Sequence, residues 1–168
     1  PWCYAIVGIH PHDSKELDEN AILQLREMSK HPKVKGIGEI GLDFYYDRSE
    51  RDVQRESFRR QIRLANELKL PIVIHSRDAD AETMEILREE GAFSSERQSF
   101  FPYRRDEKGK KVPDSRVLIH CYSGSKEMAR EYVKLGATIS ICGPVTFKNN
   151  RKTSEVAEDI PIEFSTVE

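Results

Sequence analysis

The sequence predicts an α/β fold in which short parallel strands alternate with helices. Two observations support this prediction. Short runs rich in β-branched residues recur along the 168 residues, and each is followed by a polar turn and a helical apolar pattern. The interiors of these runs, such as "IVI" and "VLI", are apolar at consecutive positions, which is typical of strands covered on both faces in a parallel sheet. Such alternation gives right-handed crossovers.

Six strands and five helices are expected from these patterns. The predicted strands are Ala5–Ile9, Val34–Ile40, Pro71–His75, Val117–His120, Ala137–Ile141 and Glu163–Val167. The predicted helices are Ser49–Leu68, Thr83–Glu90 and Ser125–Leu135, with Asn20–Ser29 and Thr153–Glu158 as weaker candidates. Ser49 is expected to cap the first of these helices, and glycines at 91 and 136 are expected to end the next two.

The residues at the strand ends favour a barrel over an open doubly wound sheet. Glu39 lies inside the apolar strand of "GIGEIGLD", while His75 and His120 end the strands of "PIVIHSRDA" and "VLIHCYSG". Side chains at the carboxyl ends of barrel strands converge on one site, and no GxGxxG or P-loop pattern supports a nucleotide-binding open sheet. We therefore expect a TIM-type (β/α)8 barrel, of which this chain holds about six of the eight strands.

Glu39, His75 and His120 are the predicted metal ligands. A carboxylate inside an apolar strand is costly to bury unless it is paired or bound to a metal. One carboxylate and two imidazoles suit zinc or another first-row ion, and Mg²⁺ is possible through the carboxylate. For either histidine alone, a structural role is the alternative. Cys121 follows His120 directly, so its side chain is expected to face away from the site.

Composition excludes few classes of function. Hydrophobic residues are 38% and charged residues 33%, and the formal charge of −2 requires a nucleic-acid binder to use local basic patches or a metal. Three cysteines without a CxxC pair indicate reduced thiols and a cytoplasmic protein. No apolar run is long enough for a membrane span. The chain begins at Pro1 without a methionine, so we expect its natural start to lie upstream.

The stretch "VGIHPHD" carries two histidines, His10 and His12, separated by one proline. On an extended chain, side chains at i and i+2 point to the same side. The pair is therefore either a set of metal ligands or part of the same pocket in another role.

Five ordered motifs together resemble the TatD-type metal-dependent deoxyribonucleases, within the amidohydrolase-like barrels. They are "GIHPHD", "GEIGLDFYYD", "PIVIHSRDADAET", "VLIHCYSGS" and "GATISICGPVTFKN". The resemblance implies hydrolysis of phosphodiester bonds in DNA, single-stranded or at ends, at a centre of up to two divalent ions (Mg, Mn or Zn). It implies that Glu39 bridges the metals and that His75 and His120 bind the second one.

The resemblance also marks departures at both ends of the chain. The family's first strand carries a metal-binding His-x-His pair, and its last strand ends in an aspartate; neither is present between Pro1 and Glu168. We therefore expect a single barrel domain over residues 1–168 that is truncated at both ends. We expect this span alone to bind at most one divalent ion tightly and to cleave DNA poorly. No residue present is assigned as the general base.

Four residues are predicted to contact substrate. By resemblance, His10 and His12 belong to the third strand of the complete barrel, so they line the pocket and meet a phosphate or support the metal ligands. The alternative for each is a turn histidine that hydrogen-bonds to the backbone. Arg77 can hold a phosphate through two hydrogen bonds, or pair with Asp78 or Asp80. Asp43 lies at the pocket mouth with two tyrosines, which either stack on unpaired bases or pack on the rim.

Residues 93–116 form an insert that fits the family pattern less well. The insert holds seven Lys/Arg, four Asp/Glu and four aromatic residues. It is either a DNA-binding element or a solvated loop or small hairpin around Glu107–Gly109, and we expect it to be peripheral to the fold.

The function predicted first is therefore a metal-dependent deoxyribonuclease. The alternative is a barrel hydrolase that acts on an amide or ester of a small molecule or of an aminoacylated RNA, because fold alone does not fix the substrate. A non-catalytic metal-binding protein is the third possibility. The sequence does not predict an oligomeric state.

Overall fold

The computed structural model describes residues 2–168, which divide into two compact units, residues 2–92 and Phe93–Glu168. Each unit is built on three parallel strands with helices between them. The predicted α/β class with six parallel strands is confirmed in this arrangement. Among the described residues, no helix combines the length and the apolar character that crossing a membrane requires.

The first unit has the strand order β1-β2-β3. Its strands are β1 (Ala5–Val7), β2 (Val34–Asp43) and β3 (Ile72–Arg77), and its helices are α1 (Glu19–Met28), α2 (Arg51–Leu68) and α3 (Asp80–Glu89). A 3₁₀ turn over Pro11–Glu16 follows β1.

The second unit has the strand order β6-β7-β8 and a separate hairpin. The elements are α4 (Ser95–Gln98), β4 (Arg104–Arg105), β5 (Lys111–Val112), β6 (Val117–Ile119), α5 (Lys126–Lys134), β7 (Thr138–Ile141), α6 (Arg151–Asp159) and β8 (Ser165–Val167).

The core of the first unit explains why the buried apolar residues of β2 do not alternate along the strand. Ile37, Ile40 and Leu42 are fully buried although they do not alternate, because β2 pairs with strands on both sides and is covered by α2. Phe58 and Ile62 of α2 are fully buried as well, as the helical periodicity predicts.

Two expected strand ends and one expected helix cap are corrected by the structure. Strands β2 and β3 continue past Ile40 and His75, so Asp43 and Arg77 become the terminal residues of paired strands, in register with each other. Ser49 does not cap α2. The capping position is Glu50, which makes no side-chain capping bond, and the Ser49 hydroxyl donates instead to the His12 carbonyl at 2.8 Å. The glycines at 91 and 136 have positive φ after α3 and α5, as predicted.

One glycine allows the site-bearing strands to approach closely. Gly41 of β2 has φ +145°, and a β-carbon there would lie 1.9 Å from the His75 carbonyl oxygen. Only glycine fits this position, so the residue between Glu39 and Asp43 brings β2 against β3 where His75 is located.

The segment 93–116 contains a small hairpin, with β4 antiparallel to β5. Its turn is closed by Asp106, whose Oδ1 accepts from the amides of Lys108 and Lys110 at 3.0 and 2.8 Å. The segment also holds a buried cation. Arg97 is 1% exposed and donates to the Ser115 carbonyl at 2.9 Å, and burial lowers its pKa to about 10. An exposed hairpin tip and a buried arginine therefore coexist in this segment.

Candidate functional site

Five polar side chains meet at the carboxyl edge of the first unit's sheet. His10 caps the 3₁₀ turn after β1 and His12 lies in it, Glu39 and Asp43 belong to β2, and His75 belongs to β3. The carboxyl ends of parallel strands are where α/β proteins build their sites. The structure thus brings together five of the seven residues that the sequence predicts as ligands or substrate contacts.

His75 is the centre of this cluster. Its Nδ1 lies 2.8 Å from Glu39 Oε1, and its Nε2 lies 3.0 Å from Asp43 Oδ2. The ring of His10 packs edge-on against it, with 4.6 Å between centroids. Potential ligand atoms of His10, Glu39 and His75 all lie within 4.8 Å of one another. Two imidazoles and a carboxylate at this spacing fit a zinc ion or another first-row divalent cation.

His10 and His12 differ in their hydrogen bonds. The His10 Nδ1 accepts from the His12 backbone amide at 3.2 Å, and its Nε2 lies 3.9 Å from Glu39 Oε1. A neutral imidazole whose Nδ1 accepts carries its proton on Nε2, so His10 presents an N–H donor to the cluster. His12 points its Nε2 at Asp43 Oδ2, 2.8 Å away. To bind an ion through Nε2, His10 would have to give up the bond from the His12 amide.

Asp43 is a buried hub and not a residue of the pocket mouth. Its side chain is fully buried. Oδ2 accepts from His12 and His75, while Oδ1 accepts from the amides of Tyr45 and Tyr46 at 3.1 and 2.8 Å. The expected position at the mouth is therefore corrected, because β2 extends to Asp43 and carries its carboxylate inward.

The charges in the cluster shift three pKa values. Burial raises the pKa of Asp43, but the bonds from the Tyr46 amide, His12 and His75 outweigh this effect and lower it. Burial lowers the pKa of His75, but its hydrogen bonds to Glu39 and Asp43 raise it overall. The pKa of His10 is lowered by burial first and by the neighbouring His75 second. The two carboxylates therefore favour the protonated form of the His75 ring, and an ion bound through His75 would have to displace that proton.

Two buried glutamines that the sequence analysis overlooks hold the strand ends in place. Gln54 of α2 accepts from the Asp43 amide at 2.8 Å and donates to the Asp43 carbonyl at 3.2 Å. Gln61 does the same for Ile9, at 2.7 and 3.0 Å. Both glutamines lie on the face of α2 that carries Phe58. Polar residues on an apolar helix face are the sequence signal that could have found them.

Arg77 does not pair with Asp78 or Asp80 within residues 2–168. Its guanidinium lies over the rings of Tyr45 and Tyr46, at 4.2 and 5.0 Å from their centroids. The ion-pair alternative is therefore wrong, and phosphate binding by Arg77 stays a prediction.

In the second unit, His120 follows β6 and meets residues that the sequence analysis does not assign. Its Nδ1 contacts the Glu168 carboxylate, and Cys142 Sγ lies 3.5 Å from the same oxygen atom. His120, Cys142 and Glu168 form a second group of potential ligand atoms within 4.8 Å. Burial, and next a hydrogen bond with Cys121, raise the pKa of Cys142 to about 12. The shared binding of one ion by Glu39, His75 and His120 stays a prediction.

An α/β fold with a histidine–carboxylate cluster at the carboxyl edge of its strands is the architecture of metal-dependent hydrolases. The chain belongs to the family of TatD related DNases, which it matches over residues 1–168.

Relatives and solved structures agree with this assignment. The chain is 41% identical to the uncharacterized metal-dependent hydrolase YabD of Bacillus subtilis (strain 168), over 95% of the chain and 55% of the relative. It is 31% identical to the 3'-5' ssDNA/RNA exonuclease TatD of Cronobacter turicensis, over 95% and 52%. The chain also superposes on the solved structure of YJJV, a TatD homolog from Escherichia coli K12, with a TM-score of 0.76 at 26% identity. The match covers 96% of the present chain and 55% of the YJJV chain.

These likenesses confirm the predicted family and the predicted barrel-type α/β fold. The chain spans about half the length of the curated relatives it matches.

Proposed function

We propose that this protein hydrolyses phosphodiester bonds in DNA with the help of divalent cations. The observation that supports the proposal most directly is the contact of Glu39 with His75, a carboxylate and an imidazole that suit one such ion, with the ring of His10 beside them. A bound divalent cation supplies Lewis-acid stabilisation of phosphate charge and a more acidic water. By resemblance, His120 contributes to the same metal centre.

The chain's own residues prepare the site for a phosphate. Asp43 orients His12 and His75 through its buried carboxylate, which fixes the position of each ring. His10 presents its Nε2–H toward the cluster and can donate to a phosphate oxygen without changing its bond to the His12 amide. Arg77 adds a positive charge beside the cluster, so it attracts the same phosphate.

The nuclease proposal is tested with protein stripped by a chelator and then given Mg²⁺, Mn²⁺ or Zn²⁺. Release of acid-soluble nucleotides from single-stranded and duplex DNA is measured beside turnover of carboxylic esters and of an aminoacylated RNA. We expect slow but metal-dependent release of nucleotides from this span. Turnover of esters without nucleotide release would favour the alternative hydrolase, and no turnover of any substrate would refute a catalytic function.

Variants separate a role at the site from a structural role. Glu39→Gln and His75→Ala are expected to lower activity by more than about 100-fold, beyond the loss typical of residues that only support metal ligands. His31→Ala is the matched control, because His31 is exposed and bonds only the nearby Lys33 amide through its ring. Calorimetric titration with the same ions should show weaker metal binding for Glu39→Gln and His75→Ala, but not for His31→Ala.

A further inference from the structure

Two exposed tyrosines stand beside the cluster without being buried. Tyr45 and Tyr46 lie just beyond the end of β2, after Phe44, and are 58% and 50% exposed. Their amides are both bound by Asp43 Oδ1, so the backbone under the exposed rings is fixed. The two rings meet edge to face, 4.9 Å apart at 89°. The result is a firmly held aromatic surface that faces solvent.

Two arginines add positive charge to this surface. Arg77 lies 4.2 Å from the Tyr45 centroid and Arg48 lies 5.5 Å from the Tyr46 centroid. Both arginine residues are exposed, and within residues 2–168 neither forms an ion pair with an acidic side chain. Their charge is therefore available to an anionic ligand.

The same carboxylate connects this surface to the histidines. Asp43 binds the tyrosine amides through one oxygen and His12 and His75 through the other. The ring of Tyr46 lies 5.5 Å from that of His12. A ligand on the tyrosines thus adjoins the candidate site.

We propose that Tyr45 and Tyr46, with Arg77 and Arg48, form a platform on which an unpaired base of a single-stranded nucleic acid stacks. Exposed aromatic rings stack on the flat face of any base, and nearby cations meet the phosphates. A duplex hides its base faces, so the platform selects for unpaired nucleotides. This platform rests on the proposed function, because it names the residues that would select the substrate of the same site.

The platform is tested by binding without turnover. A fluorescent single-stranded oligonucleotide of about ten nucleotides, within the span of one binding module, is titrated in excess chelator and followed by anisotropy. Tyr45→Ala and Tyr46→Ala are each expected to weaken binding by about five-fold or more, which corresponds to ~1 kcal/mol. Tyr→Phe at either position should stay within about two-fold of the parent, because the stacking face remains. Tyr→Leu serves as a second variant if an alanine variant fails to fold.

Tyr4→Ala is the matched control for exposure and charge. Tyr4 is 60% exposed and Lys35 lies 5.4 Å from its ring centroid, but the residue precedes β1 and so lies at the amino end of the strands. It should leave affinity unchanged. An equal loss with Tyr4→Ala would overturn the platform, because it would show a general effect of exposed tyrosines.

An abasic oligonucleotide of the same length keeps the phosphates and removes the bases. The parent should bind it more weakly, and Tyr45→Ala should cause no further loss. An equal loss on the normal and abasic strands would overturn the proposal, as would failure of the parent to bind the normal strand.

Ribose and deoxyribose forms of one sequence distinguish RNA from DNA. For whichever form binds more tightly, we expect the alanine substitutions at Tyr45 and Tyr46 to weaken binding. If they weaken the binding of neither form, the platform is overturned. Because no metal or cleavage is involved, these outcomes are independent of the nuclease assay.

Discussion

Replacing Asp43 by asparagine should destabilise the fold strongly, because one buried carboxylate satisfies four donors. The substitution keeps the shape and the Oδ1 acceptor for the tyrosine amides. It removes the negative charge that faces His12 and His75. In the parent, one nitrogen of each ring donates to this carboxylate, whereas asparagine can place an amide N–H, which is itself a donor, against them. The histidines would then need a different protonation state or would lose their partner.

The magnitude follows from the two lost bonds. Hydrogen bonds to charged groups contribute ~1.5–3 kcal/mol each, and breaking a buried ionic contact costs ~3–5 kcal/mol. Asp43 is fully buried and the two histidine side chains are 18% and 20% exposed, so solvent replaces little of the loss. We expect Asp43→Asn to cost ~3 kcal/mol.

Thermal unfolding followed by circular dichroism measures this cost. For a chain of this size, ~3 kcal/mol corresponds to a fall in Tm of ~6–12 °C. Asp47→Asn is the control, because Asp47 is 40% exposed and pairs with Arg51 at the surface, where a salt bridge contributes ~1 kcal/mol or less. If the two variants melt at the same temperature, Asp43 is not the structural hub that its contacts indicate.

Two further predictions concern the stability of the fold. Glu90 has a pKa below its ordinary value of 4.5, chiefly because Arg63 donates to it. The ionised carboxylate therefore stabilises the folded state above pH 4.5, and this stabilisation is lost as the pH falls through the lower pKa of the folded protein. Glu90→Gln should therefore cost ~1 kcal/mol at pH 7, and urea unfolding should show the difference from the parent shrinking below pH 4.5. Gly41→Ala should cost more than ~3 kcal/mol, because the added carbon meets the His75 carbonyl at unfavourable φ. Gly109→Ala, with positive φ and open space, should cost only ~1 kcal/mol; equal costs would refute the steric argument.

The amino-acid sequence by itself determined the class of fold and the types of residue at the site. Strand β3 was predictable because consecutive apolar residues flanked by turns leave few alternatives. Glu39 and His75 were conspicuous as polar residues within predicted strands. Helix ends at the glycines were predictable because positive φ there is a local property of the chain.

Only the tertiary structure decided which polar groups pair with which. Asp43 accepts from several neighbours, Gln54 and Gln61 hold the strand ends, and Arg77 stacks on Tyr45. These contacts join residues that are 2 to 52 positions apart in the chain. Ser49 satisfied a local capping pattern, yet the His12 carbonyl was the partner that folding brought to it. Local patterns report on bonds within a turn or a strand, whereas hydrogen bonds across strands and helices depend on register, which is set when the whole core packs.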